Sequence, residues 1–331
     1  MANNPNYQLR VELLRDKQSQ PDAGDLLAAF CFTEDAGFQS DSSTVSLCLP
    51  PIEGGQLIES WRTHHPVSFR RIGQVRISES KNYAFATIQV QEQGPADFQS
   101  LVFEAYAELL SAVSSTACPH IIKIWNYFDR INDQEEGLER YQQFSWARAE
   151  VFKKLNLNDD VLPTGTAIGT QGGNVLSLIA LLSSDRLQRF ENPRQVSAYN
   201  YPKVYGPRSP KFSRAGLVET EGHQLFIVSG TAAVIGHESV YPFDIESQTE
   251  ETFNNLALLS RLAETYTTRK TGSELDGDSV LRVYLREASK LAYVESQIRS
   301  KFNRSSRNIA FLHGDICRKE LAIEIDGLRI N

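Results

Sequence analysis

The alternation of apolar and polar residues divides the chain into a punctuated opening and a strongly patterned remainder. Residues 1–75 hold short apolar pieces, such as 26–32 and 44–49, broken by loops rich in Pro, Gly, Asp and Ser at 21–24, 41–43 and 50–55. They predict strands and turns without a site that can be named. Residues 83–91 alternate as a strand does. Phe98, Leu101, Val102, Ala105, Tyr106, Leu109, Leu110 and Val113 then follow the spacing of an amphipathic helix. A strand over 121–128, a helix over 139–155 with Tyr141, Phe144, Arg148, Val151, Phe152 and Leu155 near one side, and strands over 163–169 and 175–182 complete a β-α-β-α-β-β order.

That order recurs. A strand is expected over 225–235, a helix over 244–264, a strand over 279–286, a helix over 293–302, and two last strands over 309–312 and 321–326. Phe98 and Phe243, at the starts of matching helices, lie 145 residues apart, as do Gly169 and Gly314 before the matching last strands. Ile-Lys-Ile-Trp at 122–125 is mirrored by Leu-Arg-Val-Tyr at 281–284. The pattern predicts an internal duplication of about 100 residues, each copy a sheet with two helices on one face, hence an α+β fold. The expected divisions are an N-terminal strand and loop extension (1–75), a first unit (76–190), a connecting segment rich in Pro, Arg and Tyr (191–222), and a second unit (223–331).

The duplication bears on the last strand. Leu321, Ile323 and Ile325 share one face there, which places Ala322, Glu324 and Asp326 on the other. Carboxylates on a strand face are ordinarily solvated. Counted from the paired glycines, however, Glu324 corresponds to Ile179, an apolar residue that would sit poorly on open surface. The comparison favours an enclosed position, where an acid is costly unless it has a task. In the connecting segment, which is rich in Pro and aromatic residues, Arg208 and Arg214 lie six residues apart. They are either solvated residues of a structured linker or guanidiniums presented by a rigid loop to carboxylates. Gly230, within Val-Ser-Gly-Thr-Ala, marks either a strand bulge or a close approach.

Composition narrows the classes of function. The 331 residues carry a net charge of −7, which disfavours nucleic acid or an anionic membrane as the main partner while allowing a local basic pocket. The longest apolar run, 176–182, is too short to span a bilayer, and residues 1–7 carry no secretory pattern. Four cysteines without metal-ligand spacing, Cys31, Cys48, Cys118 and Cys317, are expected to be reduced thiols of a cytoplasmic protein. No metal site is expected.

Each copy resembles the reactive-intermediate deaminase (RidA-like) fold, most clearly in Leu-Phe-Ile-Val-Ser-Gly-Thr at 225–231, Asp-Ile-Glu-Ser-Gln-Thr at 244–249, Asn-Asn-Leu at 254–256 and Glu324-Ile325-Asp326. The whole arrangement over about 75–331 more specifically resembles a chorismatase, through Trp-Asn-Tyr-Phe-Asp-Arg-Ile-Asn at 125–132, Glu139-Arg140-Tyr141 with Phe144 and Arg148, Val-Tyr-Gly-Pro-Arg-Ser-Pro at 204–210, Ser229-Gly230-Thr231-Ala232, and Gly-Asp-Ile-Cys-Arg at 314–318 with Glu324. The resemblance implies release of pyruvate from chorismate, a small dianion, without metal or organic cofactor, in a monomer or small homo-oligomer. It assigns Glu324 as the acid that protonates the enolpyruvyl methylene carbon. Arg148, Tyr205, Arg208, Arg214 and Gly230 are then expected to bind substrate, and Cys317 is either a substrate contact or a buried, inert thiol. Gly at 230 and Cys at 317 match the members that form a hydroxybenzoate, 3- or 4-hydroxy, rather than the hydrolysis product, a dihydroxycyclohexadienoate. RidA-type deamination of enamines or imines is the alternative. It is disfavoured because the arginine those proteins often carry in the penultimate strand is absent from Phe311 and Leu312.

Overall fold

In the computed structural model of the protein, residues 8–15, 25–34, 43–94, 98–266, 275, 279–302 and 308–330 are described. The loop at 21–24, most of that at 41–43 and the N-terminal residues 1–7 lie outside them.

The N-terminal region forms its own four-stranded sheet of β1 (Arg10–Leu14), β2 (Leu26–Thr33), β3 (Thr44–Cys48) and β4 (Leu57–Arg62). A second sheet takes β5 (Ser68–Ile72), β6 (Val75–Glu79) and β7 (Tyr83–Gln91), then β8 (His120–Asp129), β11 (Thr164–Thr170) and β12 (Val175–Ser183). Helices α1 (Phe98–Val113) and α2 (Arg140–Lys154) cover one face of it, and a short ladder, β9 (Gln134–Glu135) with β10 (Leu138–Glu139), precedes α2. The third sheet holds β13 (Gln188–Phe190), β14 (Ala215–Thr220), β15 (His223–Thr231), β18 (Val280–Leu285), β19 (Ile309–His313) and β21 (Ile323–Ile330). Helices α3 (Ile245–Tyr266) and α4 (Leu291–Phe302) cover it, and a second ladder pairs β16 (Val234–Ile235) with β17 (Glu238–Ser239). The two-residue strand β20 (Asp315–Ile316) crosses from the second unit to pair with β11 at the edge of the first unit's sheet. The α+β fold of two β-α-β-α-β-β units is therefore the one observed.

Two expected divisions fall elsewhere. Residue 75 lies inside the β5–β6 hairpin, which continues the first unit's sheet through β7. Phe190 lies in β13, already part of the second unit's sheet through β14. The expected strand 225–235 breaks after Thr231, because its pairing with β21 shifts register between Val228 and Thr231. Leu321 precedes β21: its N–H closes a turn onto the Arg318 carbonyl.

The N-terminal sheet repeats the topology of the other two. Its order β1-β4-β2-β3 places first, fourth, second and third strands side by side, as do β7-β12-β8-β11 and β15-β21-β18-β19. In each, the second and third strands are parallel and the other neighbours antiparallel. The inner faces of all three sheets meet in one core containing Phe30, Trp61, Phe85, Trp125, Ile179 and Tyr284. The first and second sheets meet there through edge-on aromatics, Phe30 on Trp125 with centroids 5.5 Å apart and Trp61 on Phe85 at 5.2 Å.

The third sheet brings charge into this core. Arg282 of β18 donates from Nε and Nη2 to both oxygens of Glu59 on β4 (2.8 and 2.5 Å) and from Nη1 to the Tyr127 hydroxyl (2.9 Å). Its guanidinium also lies 4.4 Å from the Phe30 ring centroid. Both side chains of the ion pair are buried. No described helix is long and apolar enough to cross a membrane.

Arg282→Met should destabilise the protein by about 3–5 kcal/mol in urea denaturation, because Glu59 is left charged and unpaired. The double variant Arg282→Met/Glu59→Leu should recover a large part of that loss, and equal destabilisation in both variants would contradict this account of the pair.

Candidate active site

The register of the two sheets verifies the comparison between Glu324 and Ile179. Glu324 pairs with Tyr284 on β18 and Ile179 with Trp125 on β8, and Trp125 and Tyr284 end the two mirrored segments. Both strands turn these residues toward the core between sheets. Glu324 is 4% exposed, so the solvated-face reading fails.

Room for the carboxyl comes from the bulge in β15. A Cβ on Gly230 would lie 1.9 Å from Glu324 Oε1 and 2.7 Å from its Cδ. Gly230 is thus both a bulge and a close approach, the two readings its sequence left open. Burial, reinforced by the neighbouring Asp326, pushes the Glu324 carboxyl up from 4.5 to about 8, against the opposing pull of Lys123 and Arg214. It is a protonated acid at neutral pH.

Glu324 stands where two cavities meet. The larger, about 470 Å³, opens between the start of α2, the 201–214 strap, the Gly230 bulge and the turn 317–321. The smaller, about 30 Å³, runs inward beneath α2 and β11. Glu324, Gly230, Cys317, Tyr141, Pro210 and Phe212 line both.

Each cavity holds a buried guanidinium with unused donors. Arg148 is 3% exposed and lines the inner chamber, its guanidinium 5.4 and 5.3 Å from the ring centroids of Tyr106 and Phe152. Its Nε and Nη2 have no hydrogen-bond partner. Arg214 lines the outer cleft; Nη2 donates to the Tyr201 hydroxyl (2.5 Å) and the Val196 carbonyl (3.3 Å), while Nε is unpartnered. Buried arginine donors are rarely left unpaired, and such a pair suits an anion.

The other expected residues divide. Tyr205 lines the cleft, its hydroxyl 3.2 Å from His237 Nδ1. Cys317 Sγ lies 4.0 Å from Glu324 Oε2, and burial together with that carboxyl pushes the thiol up to about 12. It is a neutral wall of the site. Arg208 lines neither cavity. Gly206, at φ +134°, lets the strap turn over Gln142, and Arg208, 46% exposed, pairs with Glu150 on α2 (2.6 Å). The structure leaves it outside the candidate site.

Residues 59–182 match the sequence model of a family described as chorismatase FkbO/Hyg5-like, N-terminal. A 3-hydroxybenzoate synthase of Streptomyces hygroscopicus is 34% identical over 68% of this chain and 67% of its own. A chorismatase of Streptomyces rapamycinicus is 30% identical over 83% of each chain. The chain belongs to the chorismatase family. A crystal structure of a chorismatase shares the fold, with a TM-score of 0.86 at 24% identity over 97% of this chain and 98% of that one.

Within this chorismatase fold, two cleft residues escaped the sequence reading. Arg318 lies with its guanidinium 4.0 Å from the Tyr205 ring centroid and donates from Nη1 to the His237 carbonyl and Ser239 Oγ (2.9 and 3.0 Å). It sits one residue past Cys317 within a quoted motif, which was the available signal. Tyr141, on the inward side of α2, lines both cavities with its phenol held neutral by burial.

The folded chain keeps a proton on Glu324 up to about 8, whereas an ordinary carboxyl loses it near 4.5. Folding therefore takes up a proton between those values. The associated stability is fully present below 4.5 and lost as pH rises through about 8. Glu324→Gln, which cannot ionise, should melt close to the parent at pH 4.5 and roughly a few degrees above it at pH 8 by calorimetry. A constant difference across that range would show that Glu324 is not held protonated.

Proposed function

We propose that this cleft cleaves chorismate, releasing pyruvate and a hydroxybenzoate. One observation carries the reading: a carboxyl kept protonated by burial stands at the junction of two cavities, each containing a buried guanidinium with a free N–H. Chorismate brings two carboxylates and an acid-sensitive enol ether. Arg148 and Arg214 suit the carboxylates, with Arg318 and Tyr205 at the mouth. Glu324 then protonates the terminal methylene carbon of the enolpyruvyl group, leaving an oxocarbenium ion. The new Glu324 carboxylate faces that cation in a dry, preorganised setting.

The next nucleophile sets the product. Attack by water consumes one water and yields pyruvate with a dihydroxycyclohexadienoate. Participation of the ring's own hydroxyl consumes none: pyruvate departs, a ring proton is lost, and the ring becomes aromatic. Gly230 draws Glu324 back against the bulge, Cys317 and Phe212 present an apolar wall, and 3-hydroxybenzoate synthase is the name of one relative. Together these favour the water-free route and a hydroxybenzoate. The chemistry requires neither metal nor organic cofactor.

Incubation with chorismate should release pyruvate, followed by a coupled reductase assay, with equimolar hydroxybenzoate on chromatography. No pyruvate would exclude the proposal, and an enamine substrate hydrolysed in its place would favour the deaminase reading. Glu324→Gln should lose about 10²–10⁴ in kcat. The parent kcat/KM should fall as pH rises through about 8, where the acid loses its proton. Arg148→Met should lower kcat/KM by about 10–100-fold by removing a charge-assisted hydrogen bond to a substrate carboxylate; an unchanged value would remove Arg148 from substrate binding.

A further inference from the structure

Behind Glu324 lies a buried polar cluster that the mechanism above does not use. Asp326, two residues further along β21 on the same strand face, is 2% exposed. Its Oδ2 accepts from Trp125 Nε1 (2.9 Å), Thr166 Oγ1 (2.7 Å) and the Tyr284 hydroxyl (3.4 Å), and lies 3.5 Å from Lys123 Nζ. Lys123 is buried as deeply, donating to Thr166 Oγ1 and the Val228 carbonyl, both at 2.8 Å. The Thr166 hydroxyl is saturated: it donates to Asp326 and accepts from Lys123 and from the Gly230 N–H (3.1 Å). One hydroxyl therefore ties the aspartate to the glycine against which the acid's carboxyl rests.

Such a cluster is an expensive way to join two sheets. Apolar residues at these positions would pack at least as well, and the first unit places Leu181 opposite Lys123 where the second places Asp326 opposite Arg282. At this position the carboxylate occurs in the second unit only, beside the acid. We propose that Asp326 is the positioning residue for Glu324: clamped by Thr166, Trp125 and Lys123, it presents a fixed negative charge to the acid on the same strand face and sets how readily Glu324 releases its proton. Lys123, whose ammonium burial pulls down from 10.5 to about 8, opposes it while it carries its proton, so the pair acts as a two-sided electrostatic setting built into the sheet interface. This rests on the reading of Glu324 as the proton donor.

The other groups that face Glu324 come from every neighbouring element. Arg214 stands on the strap, Cys317 on the turn before β21, and Tyr141 and Arg148 on α2. Glu139, Glu320, Lys319 and Arg318 line the outer cleft. None of these hydrogen-bonds to Asp326 or Lys123, but Tyr284, opposite Glu324 on β18, and Thr166, which lines the inner chamber, both do, so the position of the pH limb, and not the size of the rate alone, is the readout.

Two variants should move the acid in opposite directions. At a separation of roughly 7 Å, two residues along a strand, a buried charge shifts a carboxyl by about one to two pH units. Asp326→Asn should lower the alkaline limb of kcat/KM by that amount, because the ionised form of Glu324 is no longer repelled. Lys123→Met should raise the limb, and Asp326→Asn/Lys123→Met should return it toward the parent. A purely structural role would depress activity evenly at all pH values and leave the limb in place.

The infrared band of the protonated carboxyl, assigned by its loss in Glu324→Gln, gives the same titration in ligand-free protein. If the parent releases no pyruvate from chorismate, the catalytic reading fails, yet the infrared titration still decides the coupling. Limbs or bands that stay in place, or that move the same way in both single variants, would overturn the proposal. Should one variant not fold, the direction of the other decides alone.

Discussion

The structure depends on burying carboxylates between β-sheets that otherwise meet through apolar side chains. Moving a charge out of water is costly, and it is sustained only where donors replace the lost solvent. Glu59 meets this condition through Arg282 and Trp61, and Asp326 through Trp125, Thr166, Tyr284 and Lys123. Glu324 has no comparable set of donors, and it stays neutral instead. That contrast between carboxylates in one core separates two acids held by donors from the one kept neutral by burial.

The three sheets explain why the site forms where it does. Each repeats one strand order, and the third strand of the first unit, β11, runs beside the bulged first strand of the second, β15. The isolated bridge between Thr164 and Ser213 and the bond from the Gly165 N–H to Ser229 Oγ hold that seam together. The cleft opens along it, walled by α2 on one side and by the strap on the other. The N-terminal sheet carries none of the cleft's lining, but it closes the far side of the common core and supplies Glu59 to neutralise Arg282.

The duplicated pattern and the acid were legible because both are written in local periodicity. Alternation placed Glu324 and Asp326 on one face, and the second copy of the same motif supplied an internal comparison that showed one of these positions to be enclosed. Helix and strand limits came within a few residues, as expected where hydrophobic spacing dominates and end effects are small. The relation of the N-terminal sheet to the others was not legible. It shares strand order with them without a helix among its described residues, and strand order is invisible to periodicity.

The side chains that act together were decided by tertiary structure. Arg208 and Arg214 lie six residues apart on one strap, and nothing in their spacing distinguishes them; the turn at Gly206 sends the first to Glu150 on the surface, whereas the second enters the cleft. Lys123 and Thr166 read as ordinary strand residues until β8 and β11 face β21. Sequence by itself determined the repeating units and the strand face that carries the acids, because these follow from spacing along one element. Which charges meet, and therefore which carboxyl keeps its proton, was decided by the packing of three sheets, because desolvation and Coulomb energy depend on distances in space that no local pattern encodes.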